Sequence, residues 1–208
     1  MSGIFDPRKQ LVRRKHLMAA KAVLVMVVVA IVSASASSAD HTEDRHYSVI
    51  HIPYGITDVQ LTADGLRGVL VRAWRDNFNA HGFDVLSIYA RPTSAEDASP
   101  NFLLVPVWEG DKERLELTSG GGADCRLTDF RFISTLGSDL QLVTAQREFG
   151  TSYADPAAVT FTYFTLKRNS SFEVGRPMYY FESTGSRRAR KPYCDVEDAF
   201  AQELGLNS

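Results

Sequence analysis

Beyond Gly110 the chain reads as one short run after another of β-branched and aromatic residues, each bounded by Gly, Asp, Asn or Pro. The runs cover 114–118, 126–133, 140–148, 159–167 and 178–183. Period-two alternation over such lengths marks strands with one buried face, and spacings of about 12 to 20 residues suit antiparallel hairpins. That half has no room for a helical bundle. Helical spacing returns only at the end, where Asp195 can cap a short helix carrying Val196, Ala199, Phe200 and Leu204, with Gly205 at its stop.

The preceding segment is patterned differently. Tyr47, Val49, Ile50 and Ile52 read as a strand that ends at Pro53-Tyr54-Gly55. Leu66, Val69, Leu70, Ala73, Trp74 and Phe78 then recur at three- and four-residue steps, with Arg67, Arg75, Asp76 and Asn79 on the far side. Thr62 or Asp64 can cap this run and Gly82 can end it, so the spacing predicts a helix. Strands at 83–89 and 102–108 follow, separated by a polar loop at 91–101. The expected class is α+β: a strand-helix-strand-strand N-terminal part, mostly antiparallel strands, and a short C-terminal helix. The expected domain is 40–208, as one unit or as two subdomains at 46–118 and 124–208.

Residues 1–39 have the three parts of a signal peptide in order: a basic stretch with Arg8, Lys9, Arg13, Arg14 and Lys15, an apolar run at 22–32, and small residues at 33–39. The uncharged run is 11 residues, short of the roughly 20 that a helix needs to cross a bilayer. Cleavage near Ala36 or Ala39 is expected. An uncleaved leader would anchor the chain in the inner membrane with the domain outside the cytoplasm. Either way the expected compartment is periplasmic or extracellular. Cys125 and Cys194 are the two cysteines of the chain. In an exported protein an isolated pair is most simply a disulfide.

The remaining residues, 40–208, carry 17 basic and 24 acidic side chains, a net charge of −7. Such a balance repels phosphate, so nucleic acid is excluded as a nonspecific partner. There is no Gly-x-Ser-x-Gly, no Ser-x-x-Lys with Lys-Thr-Gly and no His-Glu-x-x-His, which removes the usual sequence support for serine hydrolases, penicillin-recognising enzymes and zincins. Gly120-Gly121-Gly122 lacks the Lys-Ser/Thr of a phosphate loop. His41, His46, His51 and His81 share no helix face, and no metal or cofactor is expected. Ala39-Asp40-His41 would form an amino-terminal copper(II) site only if cleavage fell after Ser38.

Carboxylates gather at Glu109, Asp111, Glu113 and Glu116, and at Asp195, Glu197 and Asp198. A glycosidase needs two carboxyl groups facing across a sugar. The residues picked out for contact are instead Arg187, Arg188, Arg190 and Lys191, a basic stretch in an acidic chain, with Tyr193 beside it and Tyr153 in the 148–156 connection. The paired aromatic runs Phe161, Tyr163, Phe164 and Tyr179, Tyr180, Phe181 place Phe161 and Tyr163 on one face and Phe164 on the other. Asn169-Ser170-Ser171 has the spacing of a glycosylation acceptor.

The functional expectation is an exported, non-enzymatic binding protein of the bacterial periplasm or cell envelope. Its partner is a protein or an envelope component, anionic ones included. Its most concrete role is protection against an envelope-directed toxin, antibiotic or lytic enzyme. The alternatives are an envelope polysaccharide hydrolase using carboxylates such as Glu109 or Asp111, and a structural or assembly protein of the envelope.

Overall fold

The alternating runs become strands, and so does the segment expected to be a helix. In chain order the strands are β1 (Tyr47–Val49), β2 (Gly55–Gln60), β3 (Arg67–Arg75), β4 (Phe83–Arg91), β5 (Leu103–Leu104), β6 (Val107–Glu109), β7 (Lys112–Arg114), β8 (Leu117–Gly120), β9 (Thr128–Thr135), β10 (Gln141–Arg147), β11 (Val159–Arg168) and β12 (Tyr179–Arg188). Helix α1 starts at Val196–Ala199 and continues as a wider π turn over Phe200–Leu204. The computed structural model describes residues 47–79, 81–91, 102–121 and 124–207. The leader at 1–39, His41, His46 and loop residues 92–101 lie outside the described residues. Among the described residues no helix is long and apolar enough to cross a membrane.

The α+β expectation is overturned. Strands take 51% of the described residues and form a twelve-stranded sheet, with α1 and its π turn at the C-terminal end. The residues read as a helix at 66–78 form β3 instead, and β2, unforeseen, pairs with it from Gly55↔Arg72 to Gln60↔Arg67. The reason lies in burial. Val69 and Leu70 are adjacent and both buried, at 3% and 0% exposure, because this part of β3 is covered on both faces. A strand buried on both faces loses its alternation, and its consecutive apolar residues fit a helical spacing equally well. The expected cap serves a hairpin: the Thr62 hydroxyl accepts from the Leu66 amide at 3.0 Å and meets the Asp64 carboxylate, while the Gly65 amide donates to the Thr62 carbonyl. Gly82 ends no helix. It makes room for Trp74, whose ring would lie 2.1 Å from an added Cβ.

The sheet runs β2-β3-β4-β8-β9-β10-β11-β12-β6-β7, with β1 on β9 and β5 on β4. The β12–β6 pair is parallel and its neighbours in the sheet, β11–β12 and β6–β7, are antiparallel. β8 and β9 meet at a single register pair, Gly120↔Thr128, and past that joint the sheet folds over on itself. Val59, Leu70, Leu86, Ile88 and Ala90 from one side thereby share a core with Phe132, Leu142, Phe164, Leu166 and Phe181 from the other. A second core lies on the opposite face of β10 and β11, where Val143, Ala145, Val159 and Phe161 receive Val196, Ala199 and Phe200 of the C-terminal helix and Leu206 beyond it. Phe161 and Phe164 therefore face opposite ways, as the alternation predicts. Full burial of such side chains contributes roughly 1.5–3 kcal/mol apiece.

The C-terminal helix keeps its expected ends. The Asp195 carboxylate accepts from the Glu197 amide at 2.8 Å, and Gly205 adopts a left-handed φ of 67°. Asn169 is 8% exposed and its side chain is spent on the backbone of Glu173 and Arg176, closing the β11–β12 turn.

Candidate functional site

One end of the sheet collects most of the chain's chemically suggestive residues. Phe83, Gly120, Thr128, Gln146, Thr160 and Arg188 lie side by side across β4, β8, β9, β10, β11 and β12. Four connections extend beyond that row: the β3–β4 turn, the β8–β9 loop, the β10–β11 loop and the segment between β12 and α1.

The β10–β11 loop is tied from beneath. Arg147 is 4% exposed, and its guanidinium donates to the carbonyls of Ser152, at 2.8 Å, and Asp155. The Ser152 hydroxyl accepts from the amides of Ala154 and Asp155, and Thr151 donates to the Asp155 carboxylate at 2.8 Å. Hydrogen bonds from Thr151 and Ser152, then the Arg147 charge, hold the Asp155 carboxyl below its usual range. Cys125 and Cys194 form a disulfide with Cα atoms 5.6 Å apart, and both sulfurs lie against the Ala154 carbonyl. On top of this base Phe149 and Tyr153 meet edge to face at 4.6 Å, 56% and 47% exposed.

The basic residues are divided rather than displayed together. Arg187 and Arg188 belong to β12, and with Arg190 and Tyr193 they bracket the end of the chain. The Glu203 side chain is 2% exposed and accepts from Arg187 Nη1 at 3.3 Å, from the Arg190 amide at 3.1 Å and Nε at 2.9 Å, and from the Tyr193 hydroxyl at 3.1 Å. Burial pushes the Glu203 carboxyl up, but the Arg190 and Tyr193 hydrogen bonds outweigh it and leave the carboxyl below its ordinary value. Burial, then the bond to Glu203, raises the Tyr193 phenol. Arg187, Arg190 and Tyr193 thus clamp the C-terminal helix. Arg188 stays at the surface beside Glu148 at 3.0 Å, and Lys191 lies over the Tyr193 ring at 5.1 Å.

Next to these loops a cleft of about 270 Å³ opens in the inner face of the sheet. Its floor is two cross-strand rows: Thr128, Gln146 and Thr160, then Phe130, Thr144 and Thr162. The next row, Phe132, Leu142 and Phe164, is the apolar core. Glu109, Arg114, Glu116, Leu117 and Thr118 form the wall, and Arg114 Nη2 donates to Glu109 at 2.8 Å. The sequence signal for this cleft was one threonine each on β9 and β10 and two at alternate positions on β11, a pattern shared with any half-exposed sheet.

A second polar group escaped the sequence reading. Asp84, 4% exposed, accepts from Arg72 at 2.6 Å and from the Tyr54 hydroxyl at 2.8 Å. Nearby on the outer side of β9, Asp129 accepts from Arg131 at 2.5 Å and from Arg126 at 3.1 Å under the C-terminal helix. Of the acids read as catalytic candidates, Glu109 and Glu116 reach the cleft and Asp195 caps the helix. Among the described residues no group of three His, Cys, Asp or Glu side chains is placed to hold a metal.

No protein-family model matches the sequence, and no curated protein does. A solved structure is similar. It is titled "Crystal structure of CarG", and it matches with a TM-score of 0.63 over 77% of this chain and 99% of its own, at 19% identity. At that identity the likeness to CarG shows a shared fold alone.

Proposed function

We propose that the chain is an exported, non-enzymatic binding protein of the bacterial periplasm or cell envelope. Its role in this reading is protective: it captures an envelope-directed toxin, antibiotic or lytic enzyme. One observation carries the reading. The disulfide, a bond that persists in oxidising compartments, lies against the Ala154 carbonyl of the Arg147-tied loop that holds Phe149 and Tyr153 out to solvent. Exposed aromatics held rigid from below are the residues that anchor partners, because little side-chain freedom is lost on binding. Arg188 and Lys191 border the same end, which suits a partner with an anionic patch.

The test has two stages. Fractionation of the native host, with mass measurement of the amino terminus and thiol titration, is expected to find a trimmed, oxidised protein outside the cytoplasm. Protein then captured from the envelope fraction is titrated against Tyr153→Ala with Phe149→Ala, and against Arg188→Gln with Lys191→Gln. The aromatic pair is expected to weaken binding by about thirtyfold or more, the rough size of a hot spot. The charge pair is expected to lower the on-rate and its salt dependence. Full-length protein in the cytosol with free thiols would overturn the export reading, and unchanged affinity in both double variants would remove this end from it.

A second reading has one observation behind it: Glu109 and Glu116 line the same cleft, as an envelope polysaccharide hydrolase would require. Repeated product release from peptidoglycan or other envelope polysaccharides, lost in Glu116→Gln, separates it from stoichiometric capture.

A further inference from the structure

Among the described residues β1, β2, β5 and β7 are each paired on one side only. A bare strand edge invites another chain, and proteins blunt such edges with short strands and charged side chains. β1, β5 and β7 follow that rule: they are two or three residues long, and β7 reads Lys112-Glu113-Arg114. β2 does not. It runs for six residues, keeps one register with β3 throughout, and holds no proline, lysine or bulge. Its one charge, Asp58, is already paired with Arg91 at 2.9 Å, and Ile56 stands 69% exposed two positions before it.

The ladder fixes which backbone groups of β2 face outward. The Leu61 amide donates to the Leu66 carbonyl at 2.8 Å, one step beyond the pair Gln60↔Arg67. By alternation Gly55, Thr57 and Val59 turn their N–H and C=O groups toward β3, while Ile56, Asp58 and Gln60 turn theirs away. No strand lies on that side among the described residues. At the middle of the row the Thr57 hydroxyl is buried and has no hydrogen-bond partner. A buried hydroxyl left so is costly until something supplies the missing bond.

We infer that β2 is the seam between two copies of this chain, joined antiparallel about a twofold axis through Thr57. That register sets Ile56 against Asp58 of the second copy, and Asp58 against its Ile56. These are the residues whose backbone groups face outward, so four N–H···O bonds close around the axis. Thr57 then meets its own counterpart at a non-hydrogen-bonded position, with Cα atoms about 4.5 Å apart. Each hydroxyl both donates and accepts, and one χ1 step turns the two oxygens toward each other, as in other cross-strand threonine pairs. The two Asp58 side chains fall on a diagonal of roughly 7–8 Å, each beside its own Arg91, so charge does not oppose the pairing. Symmetry brings the matching hydroxyl to the axis; an unrelated strand must supply it by sequence. The seam uses none of the loop residues proposed to hold a partner.

The mass of the oxidised protein is followed by sedimentation and light scattering at concentrations up to about 1 mM. It is expected to rise from one copy to two. Ile56→Lys puts a charge at an exposed edge position, and Asp58→Pro removes an outward N–H where an edge strand tolerates the loss. Each is expected to weaken dimerisation about tenfold or more, with the circular dichroism of the dilute protein unchanged. Thr57→Val is expected to weaken it about fivefold, with the dilute monomer as stable as the parent or more so, since the hydroxyl has no partner there to lose. Thr57→Cys reads the register: across the axis the two sulfurs come within bonding reach, so oxidation gives a covalent dimer on a non-reducing gel, and Asp58→Cys, diagonal to its counterpart, gives far less. A single-copy mass throughout, a dimer that Ile56→Lys and Asp58→Pro leave intact, or faster crosslinking of Asp58→Cys than of Thr57→Cys would overturn the inference. So would protein isolated from its host with a different chain bound in fixed ratio and lost in Ile56→Lys, which would give the edge to that partner instead.

Discussion

Phe78 carries a positive φ of 56° and is 95% exposed, so the chain tolerates left-handed strain at a side chain that packs on nothing. Its amide is held by the Asp76 carboxylate at 2.6 Å, an arrangement that fixes the turn without needing the ring. Phe78→Gly is expected to raise stability by about 1 kcal/mol, because glycine enters this conformation without the Cβ clash; denaturant midpoints at constant slope would show it. Glu203 gives the opposite case, a residue whose surroundings define its charge. Its folded-state carboxyl lies below the ordinary range, so its contribution is complete above the unfolded value of about 4.3 and is lost as the pH falls through the folded one. The melting-temperature gap between the parent and Glu203→Gln should therefore be constant near neutrality and shrink in acid. A gap that widens on acidification would contradict the clamp. From sequence, the row of arginines at 187–190 reads as a surface for partners. The carboxylate that claims two of them lies over a dozen residues further on, across a turn and a helix, and nothing local announces it.

Element boundaries show which patterns survive tertiary context. The short helix at the C terminus was legible because its cap, its apolar stripe and its glycine stop are all local, and each is found where the residues place it. Strands β9 to β12 were legible for the same reason, whereas the run read as one strand at 114–118 straddles the break between β7 and β8. β3 was not, since burial on both faces erased the alternation that distinguishes strand from helix. The missed neighbour β2 has only one buried residue, Val59, and so gave no signal of its own. Gly68 records how tightly β3 is held: an added Cβ would lie 2.4 Å from the Tyr89 carbonyl and 2.5 Å from Leu61. Gly68→Ala should cost roughly 1–3 kcal/mol through overpacking. In a helix the same change would have been stabilising, so the sign of the measured shift in denaturant midpoint decides between the two conformations. The cleft was out of reach at this scale as well, because its rows form only when three strands are in register.

Across the whole molecule, most contacts join residues distant in sequence, as in the pairing of β1 with β9 and of β12 with β6. Such a topology folds slowly, in milliseconds to seconds, because loop closure precedes the contacts that reward it. The bond between Cys125 and Cys194 shortens that search. With its ends 69 positions apart in sequence, it should contribute about 4 kcal/mol in the chain-entropy account. The Cys125→Ser, Cys194→Ser variant is expected to unfold at correspondingly lower denaturant, with a steeper dependence because its unfolded chain exposes more surface.

The same crosslink bears on how the protein would meet a protease. The turn between β11 and β12 projects Phe172 and Val174 almost wholly into solvent, at 74% and 98% exposure, and exposed tips of this kind are where cleavage begins. A cut there falls between the two sulfurs in sequence. The halves would remain joined by the bond and by the ladders on either side, travel as one species on a non-reducing gel, and part only when a reductant is added. A digestion that releases separate fragments without reductant would show that the sulfurs are not joined.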